Sequence, residues 1–194
     1  MKVSLISEER CFRGFLEVRR SVVSHSLHGG GMSQPVQREH ARSGPVVAVL
    51  PYDPLRDQVV LIRQFRIGAW AAGQPPAPWD IVAGVCAEAE DSESAARREL
   101  EEETGCTALA IHPIGNFLTA PHVSAERLTL VCAQVSAFAG ERLCGLPAEG
   151  EDILATCFDY RAALALLDSG GMPLWAAMAL QWLESNRGRL RGKL

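Results

Sequence analysis

The 194-residue sequence contains no run approaching the roughly 20 apolar residues that a helical membrane span requires. Its N-terminal stretch MKVSLISEERCF has too short an apolar segment for a secretory signal, and acids follow at once. Positive charge is not in excess: 23 acidic against 19 basic residues leave a net charge of −4, which excludes a global field for gripping a nucleic-acid backbone. Lysine is almost missing. Lys2 and Lys193 are the only two, and arginine supplies every other base, a bias that suits phosphate and carboxylate recognition but that codon usage also produces. The six cysteines, at 11, 86, 106, 132, 144 and 157, form no CxxC and no Cys/His zinc spacing, so reduced thiols in a cytoplasmic protein are expected rather than a disulfide framework. What is present is ordinary globular composition, 47% hydrophobic and 22% charged, which rules out a disordered chain or a coiled coil.

Residues 11–24 read as one or two strands, and the glycines of HGGGMSQ (28–34) mark a turn or linker. This divides the chain into an N-terminal strand element, 1–30, and a main domain, 31–194. PVVAVL and QVVLIRQF around PYDPLRD form a hairpin signal, GAWAAGQPPAPW reads as a loop, and DIVAG as a strand. A helix is expected over ESAARRELEEET, capped by Asp91 or Ser92 and ended by Gly105. Strands follow at 108–118, 127–138 and 153–160, with an irregular connection at 139–152. Two helices close the chain, the second placing Leu174, Met178 and Trp182 on a stripe expected to pack into the core.

The sharpest feature runs from Gly84 to Cys106. Glu90 follows Gly84 after five residues, Arg98 follows after seven more, and then come Glu99, Leu100, Glu101, Glu102, Glu103, Thr104 and Gly105. On a helix Glu99, Glu102 and Glu103 fall within one face about 100° wide. Such a face is either a solvated acidic surface, weakened by like-charge repulsion, or a set of oxygen ligands for a hard divalent cation. Arg98 lies beside it and could orient a carboxylate.

The full pattern, G-x5-E-x7-R-E-U-x-E-E-x-G-U with U aliphatic, resembles the Nudix box at every fixed position, with Cys106 in the last apolar place. The resemblance implies an α/β fold, an α/β/α sandwich around a mixed sheet, with a small N-terminal β element added here. It also implies Mg²⁺-dependent hydrolysis of a nucleoside diphosphate linked to another group, with two or three ions and Mn²⁺ as a substitute. LIRQFRIGAW, PWDIVAG, the GLPAEGEDI loop, Pro121 and the ALQWLES tail look like the bacterial ADP-ribose pyrophosphatases. The expected products are then AMP and ribose 5-phosphate. Another nucleoside diphosphate sugar such as GDP-mannose, or a non-catalytic ADP-ribose-sensing module, are the alternatives.

By the same resemblance Glu99, Glu102 and Glu103, the carbonyl of Ala83 and Glu151 are metal ligands, and Glu149 is the loop base, with Glu102 and Glu103 part of the catalytic set. The bland reading of Glu149 and Glu151 is a solvated loop. Arg66 resembles a residue holding the diphosphate or ribose, Arg38 and Glu39 a substrate-contacting pair, and Glu126 a polar contact. Each could instead be a surface ion pair, worth little. Phe15 resembles an aromatic that stacks on adenine from a partner subunit, and otherwise would be a core phenylalanine. Asp80 stands where the family commonly has glutamate. A small-molecule substrate and a homodimer joined through the N-terminal strands are the expected partners, with neither nucleic acid nor membrane.

Overall fold

The computed structural model describes residues 1–192, so the last two residues of the expected 31–194 domain, Lys193 and Leu194, lie outside the described residues. The chain divides into two units, one made of Met1–Pro45 with Phe117–Leu128, the other of Val46–Asn116 with Thr129 onward. No helix among the described residues is long and apolar enough to cross a membrane.

The first unit is a three-stranded antiparallel sheet in the order β1 (Val3–Arg13), β2 (Glu17–His25), β3 (Val36–Arg42). Cross-strand charge pairs match its register: Glu9 and Glu39 both face Arg20, and both bond to it, at 2.9 and 3.0 Å. Arg19 is held instead by Glu8, out of register with it on β1, and by Glu17 two residues earlier on its own strand. Every residue of β1 is exposed, including Val3, Leu5, Ile6 and Phe12. The strand therefore starts at Val3, well before the 11–24 stretch that the sequence predicts as one or two strands. The glycine run at 29–31 lies inside the β2–β3 connection, where Gly30 and Gly31 adopt φ of 92° and 78° that a side chain would strain. The segment around Pro121 is a turn whose Ser124 bridges to Ala41 of β3.

The second unit is built on an eight-stranded sheet. Its path is β10 (Glu141–Cys144), β11 (Ile153–Asp159), β5 (Gln58–Arg63), β4 (Pro45–Asp53), β9 (Arg127–Gln134), β8 (Ala110–Leu118), with β6 (Trp79–Asp80) on β5 and β7 (Val82–Val85) on β4. Alternation along the strands buries both faces. Val47, Val49, Val60, Ile62, Val131, Ala133, Ile153 and Ala155 form one core with Ala95, Ala96 and Leu100 of α2 (Ser92–Thr104). Their neighbours Ala48, Leu50, Tyr52, Leu61, Leu130 and Cys132 are just as buried on the other face. That face carries α3 (Tyr160–Ala165) and α4 (Leu174–Arg191), joined where the Tyr160 hydroxyl donates to the Leu180 carbonyl at 3.3 Å. This is the α/β/α sandwich around a mixed sheet that the box implies.

Three details correct the sequence reading. GAWAAGQPPAPW is not all loop: a one-turn helix, α1 (Ile67–Ala71), precedes the proline-rich stretch. The connection at 139–152 contains β10 and a 3-10 turn at Pro147–Glu149. On α4 the helical period is right but the phase is wrong. Leu174 is exposed, Met178 and Trp182 are half-buried, and the core takes the smaller Ala176, Ala179, Leu180 and Leu183. Alanines let the helix approach closely, and their low hydrophobicity hid that face.

Candidate active site

α2 starts where sequence capping rules place it. The Asp91 carboxylate accepts from the N–H groups of Glu93 and Ser94 at 3.0 Å each, and Gly105 ends the helix with φ 65°. Packing of Ala95, Ala96 and Leu100 against the sheet turns the acidic face of the helix toward β7. Glu99 and Glu103 are buried, Glu103 to 1% exposure, while Glu102 is half-buried. Gly84 gives the Glu99 carboxylate its room: a Cβ at that position would occupy the same space and displace the end of the Glu99 side chain. Glu103 Oε2 accepts from the Ala83 N–H at 3.1 Å.

Burial pushes the Glu103 carboxyl up to about 8; the Ala83 N–H and the charge of Arg66 oppose this, and Glu99 and Glu151 add to it. Burial also raises Glu99, against the pull of Arg98. Arg98 is the hub of the cluster, bonded to Glu90 at 3.0 Å, Glu99 at 2.7 Å and Glu102 at 3.0 Å. The hydrogen bond to Glu90 is the largest factor holding the Arg98 guanidinium protonated, and Arg98 in turn keeps Glu90 below the usual carboxylate range. Among the described residues no three such side chains stand together as a finished metal cage. Glu99 and Glu102 are turned to Arg98 and Glu103 to Ala83. The donor set nonetheless fits a hard divalent cation. It is all oxygen, and one carboxyl is driven toward its neutral form, by burial first and by neighbouring carboxylates to a smaller degree, a cost that a bound cation would relieve.

Arg66 lies just before α1, and its guanidinium meets Asp80 Oδ2 at 3.0 Å. Asp80 is 1% exposed, and burial raises its carboxyl despite Arg66. Glu151 is anchored by the Leu146 N–H at 3.1 Å and lies 3.5 Å from the Gln64 amide. The Gly145 N–H donates to the Glu102 carbonyl at 3.1 Å, tying the 145–151 loop to α2. Glu149 is exposed in the 3-10 turn, followed by Gly150 at φ 74°.

The structure therefore brings Arg66, Ala83, Glu99, Glu102, Glu103, Glu149 and Glu151 into one unit. The other four expected residues belong to the first unit. There Arg38 bonds the Gln37 carbonyl, Glu39 pairs with Arg20, and Glu126 accepts from the Ser43 hydroxyl at 3.3 Å. Phe15, in the β1–β2 turn, is fully exposed (101%), which removes the reading of a core phenylalanine.

A family model described as the NUDIX domain matches residues 42–165. The chain belongs to the Nudix family. It is 34% identical to the ADP-ribose pyrophosphatase of Escherichia coli (strain K12) over 98% of this chain and 92% of that protein. With the ADP-ribose pyrophosphatase of Haemophilus influenzae it shares 31% identity over 97% of this chain and 89% of the other. A crystal structure of an ADP compounds hydrolase, 19% identical, superposes with a TM-score of 0.71 over 98% of this chain and 97% of that one, which speaks for the fold alone.

Within the Nudix box, sequence reasoning gave Arg98 a role but left Glu90 as a pattern position. It meets Arg98 with both carboxylate oxygens, at 3.0 Å each, and its fixed spacing was the available signal. Trp175, whose indole N–H donates to Asp80 Oδ1 at 2.9 Å, gave no signal, because a tryptophan in an apolar helix reads as core.

Proposed function

We propose that this chain hydrolyses the diphosphate bond of ADP-ribose, releasing AMP and ribose 5-phosphate, with Mg²⁺ at the α2 carboxylates. The observation that carries the reading is the buried acidic face of α2, Glu99 and Glu103 pressed against β7 within an intact box. Similarity over nearly the full length to proteins named ADP-ribose pyrophosphatase supports the substrate.

Glu99, Glu102, Glu103, Glu151 and the carbonyl of Ala83 would hold two or three Mg²⁺ ions, for which Mn²⁺ could substitute. Bound there, the metal supplies charge neutralisation at the diphosphate and acidifies water. Arg66 binds the diphosphate with its free N–H groups. Glu149 takes the proton of the attacking water; its place in an exposed turn before a glycine suits a base that swings in when substrate is present. Arg98 holds Glu99 and Glu102 in orientation.

Phe15, Arg38, Glu39 and Glu126 are proposed substrate contacts, Phe15 stacking on the adenine of a partner subunit's substrate in a homodimer. Support comes from the N-terminal sheet: a fully exposed aromatic at a turn and a strand with no buried residue suit a surface that a second copy covers. Free thiols at all six cysteines suit a cytoplasmic setting.

The test is incubation with Mg²⁺ and a panel of ADP-ribose, GDP-mannose, NADH and diadenosine polyphosphates, with product identification. AMP and ribose 5-phosphate from ADP-ribose are expected as the dominant products. Faster turnover of GDP-mannose, or binding of ADP-ribose without hydrolysis in either Mg²⁺ or Mn²⁺, would overturn the reading.

A further inference from the structure

Asp80 ends β6 opposite Ile62 of β5, with its carboxylate almost wholly buried. The two oxygens are used differently. Oδ1 accepts from the Ile81 backbone N–H at 2.8 Å and from the Trp175 indole N–H at 2.9 Å. Oδ2 accepts from Arg66 Nη2 at 3.0 Å. Two fixed donors on one oxygen set the plane of the carboxylate, and so set where the other oxygen points. The backbone of Arg66 is pinned as well, its N–H donating to the Pro76 carbonyl at 2.7 Å. Its side chain remains 31% exposed, and Arg66, Asp80 and Trp175 all line a cavity of about 470 Å³ whose other walls include Ile67, Pro78, Met172 and Pro173. The guanidinium is thus held at Nη2 while the side chain keeps access to the cavity.

We propose that Asp80 is a positioning residue for Arg66, and that Trp175, from the first turn of α4, fixes the orientation of Asp80. Through this chain α4 acts on the aim of the arginine that receives the diphosphate. The inference rests on the proposed role of Arg66. A charge-assisted bond from a buried carboxylate restricts a long, flexible side chain to one rotamer before substrate arrives, which lowers the ordering cost of binding. Arg66 would meet the diphosphate alike in ground and transition states, so loosening it raises KM and leaves kcat nearly unchanged.

Asp80→Asn separates the two oxygens. The amide oxygen can still accept from Ile81 and Trp175, while its NH₂ group faces Arg66 and cannot accept. With Mg²⁺-loaded protein and ADP-ribose, Asp80→Asn should raise KM about tenfold with kcat within about twofold, and Trp175→Phe should raise KM about threefold. Adding Asp80→Asn to Arg66→Ala should leave KM where Arg66→Ala alone puts it. In ¹⁵N NMR the Arg66 Nε–H should be ordered in the parent protein and mobile in Asp80→Asn, a readout independent of turnover.

A fall in KM for Asp80→Asn would overturn the proposal, since it would mean that the carboxylate only screens the arginine's charge. Additive effects in the double variant would also overturn it, as Asp80 would then act by another route. If Arg66→Ala itself leaves KM unchanged, the role of Arg66 in substrate binding falls and takes the proposal with it. An ordered Arg66 in Asp80→Asn would sink the positioning step alone and leave the proposed function standing.

Discussion

The N-terminal sheet and helix α2 are built from the same two residue types, arginine and glutamate, and they use them to opposite ends. On β1–β3, Arg20 reaches glutamates on both neighbouring strands in pairs open to solvent, and Arg19 holds Glu8 of β1 and Glu17 of its own strand in half-buried pairs. The Arg20 pairs fit the register of the strands but add little stability. On α2, Arg98 gathers Glu99 and Glu102 of the helix and Glu90 of the loop before it, while packing against the sheet removes Glu99 and Glu103 from water. There the charges oppose the fold, and one arginine moderates them. Depth, rather than residue type, separates a structural ion pair from a site with stored electrostatic cost.

The largest test of that contrast is Glu103→Gln. Activity with Mg²⁺ should fall by roughly two to three orders of magnitude, because a neutral amide is a weak ligand for a hard cation. The same change should raise the melting temperature of the metal-free protein, since it removes a buried carboxyl that burial disfavours. Calorimetry beside a turnover assay checks both; a lower melting temperature would mean that the carboxyl is not a burden on the fold.

Next comes Arg98→Ala, which leaves Glu90, Glu99 and Glu102 without their shared cation. Its guanidinium is partly exposed, so the expected cost is about 1–2 kcal/mol in urea titration without metal. Mg²⁺ should restore more stability to this variant than to the parent, and equal restoration would break the argument that Arg98 moderates repulsion.

A third variant sharpens the role of partners at equal depth. Asp53 is as buried as Glu103, yet its carboxyl is held below the usual range. Burial pushes it up, and the N–H groups of Arg56, Ala137 and Leu55 with the Arg56 side chain outweigh that. A depressed carboxyl contributes stability that is present above its unfolded value of 3.8 and is lost as pH falls through the folded value. Asp53→Asn should therefore be less stable than the parent at pH 7, with the difference closing as pH falls below 3.8 and through the folded value. A gap independent of pH would show that geometry, not charge, is what Asp53 supplies.

The smallest effect belongs to the exposed sheet. In urea titration Arg20→Ala should stay close to the parent in stability despite breaking two ion pairs. A loss comparable with Arg98→Ala would erase the distinction between the two regions.

The α2 site was legible because its chemistry lies on one continuous segment. Gly84, Glu90 and Arg98 to Gly105 are spaced by the geometry of a strand, a loop and a helix, and Asp91 and Gly105 carry their capping roles in their own chemistry. The β4–β5 hairpin and the strands at 110–118, 127–134 and 153–159 were readable from apolar runs between turn residues. What stayed hidden depends on contacts between distant segments. Trp175 lies 95 residues from Asp80, and no local pattern tells an indole that packs from one that donates. β1 was hidden for a different reason: a strand exposed on every residue has no inside and outside to alternate.

That exposed strand also bears on the protein's behaviour in solution. As the outer member of its sheet, β1 offers 11 residues of backbone to any extended segment that finds them, with Val3, Leu5, Ile6 and Phe12 to hold it. Two features oppose such growth: irregularities in register between Leu5 and Ser7 and between Arg10 and Phe12, and the charges of Glu8, Glu9, Arg10 and Arg13. Both leave the strand able to accept one well-shaped neighbour while discouraging an open-ended stack. Replacing Glu8, Glu9, Arg10 and Arg13 together with uncharged residues removes that guard, so colloidal loss of such a variant should begin at β1, before the buried core opens.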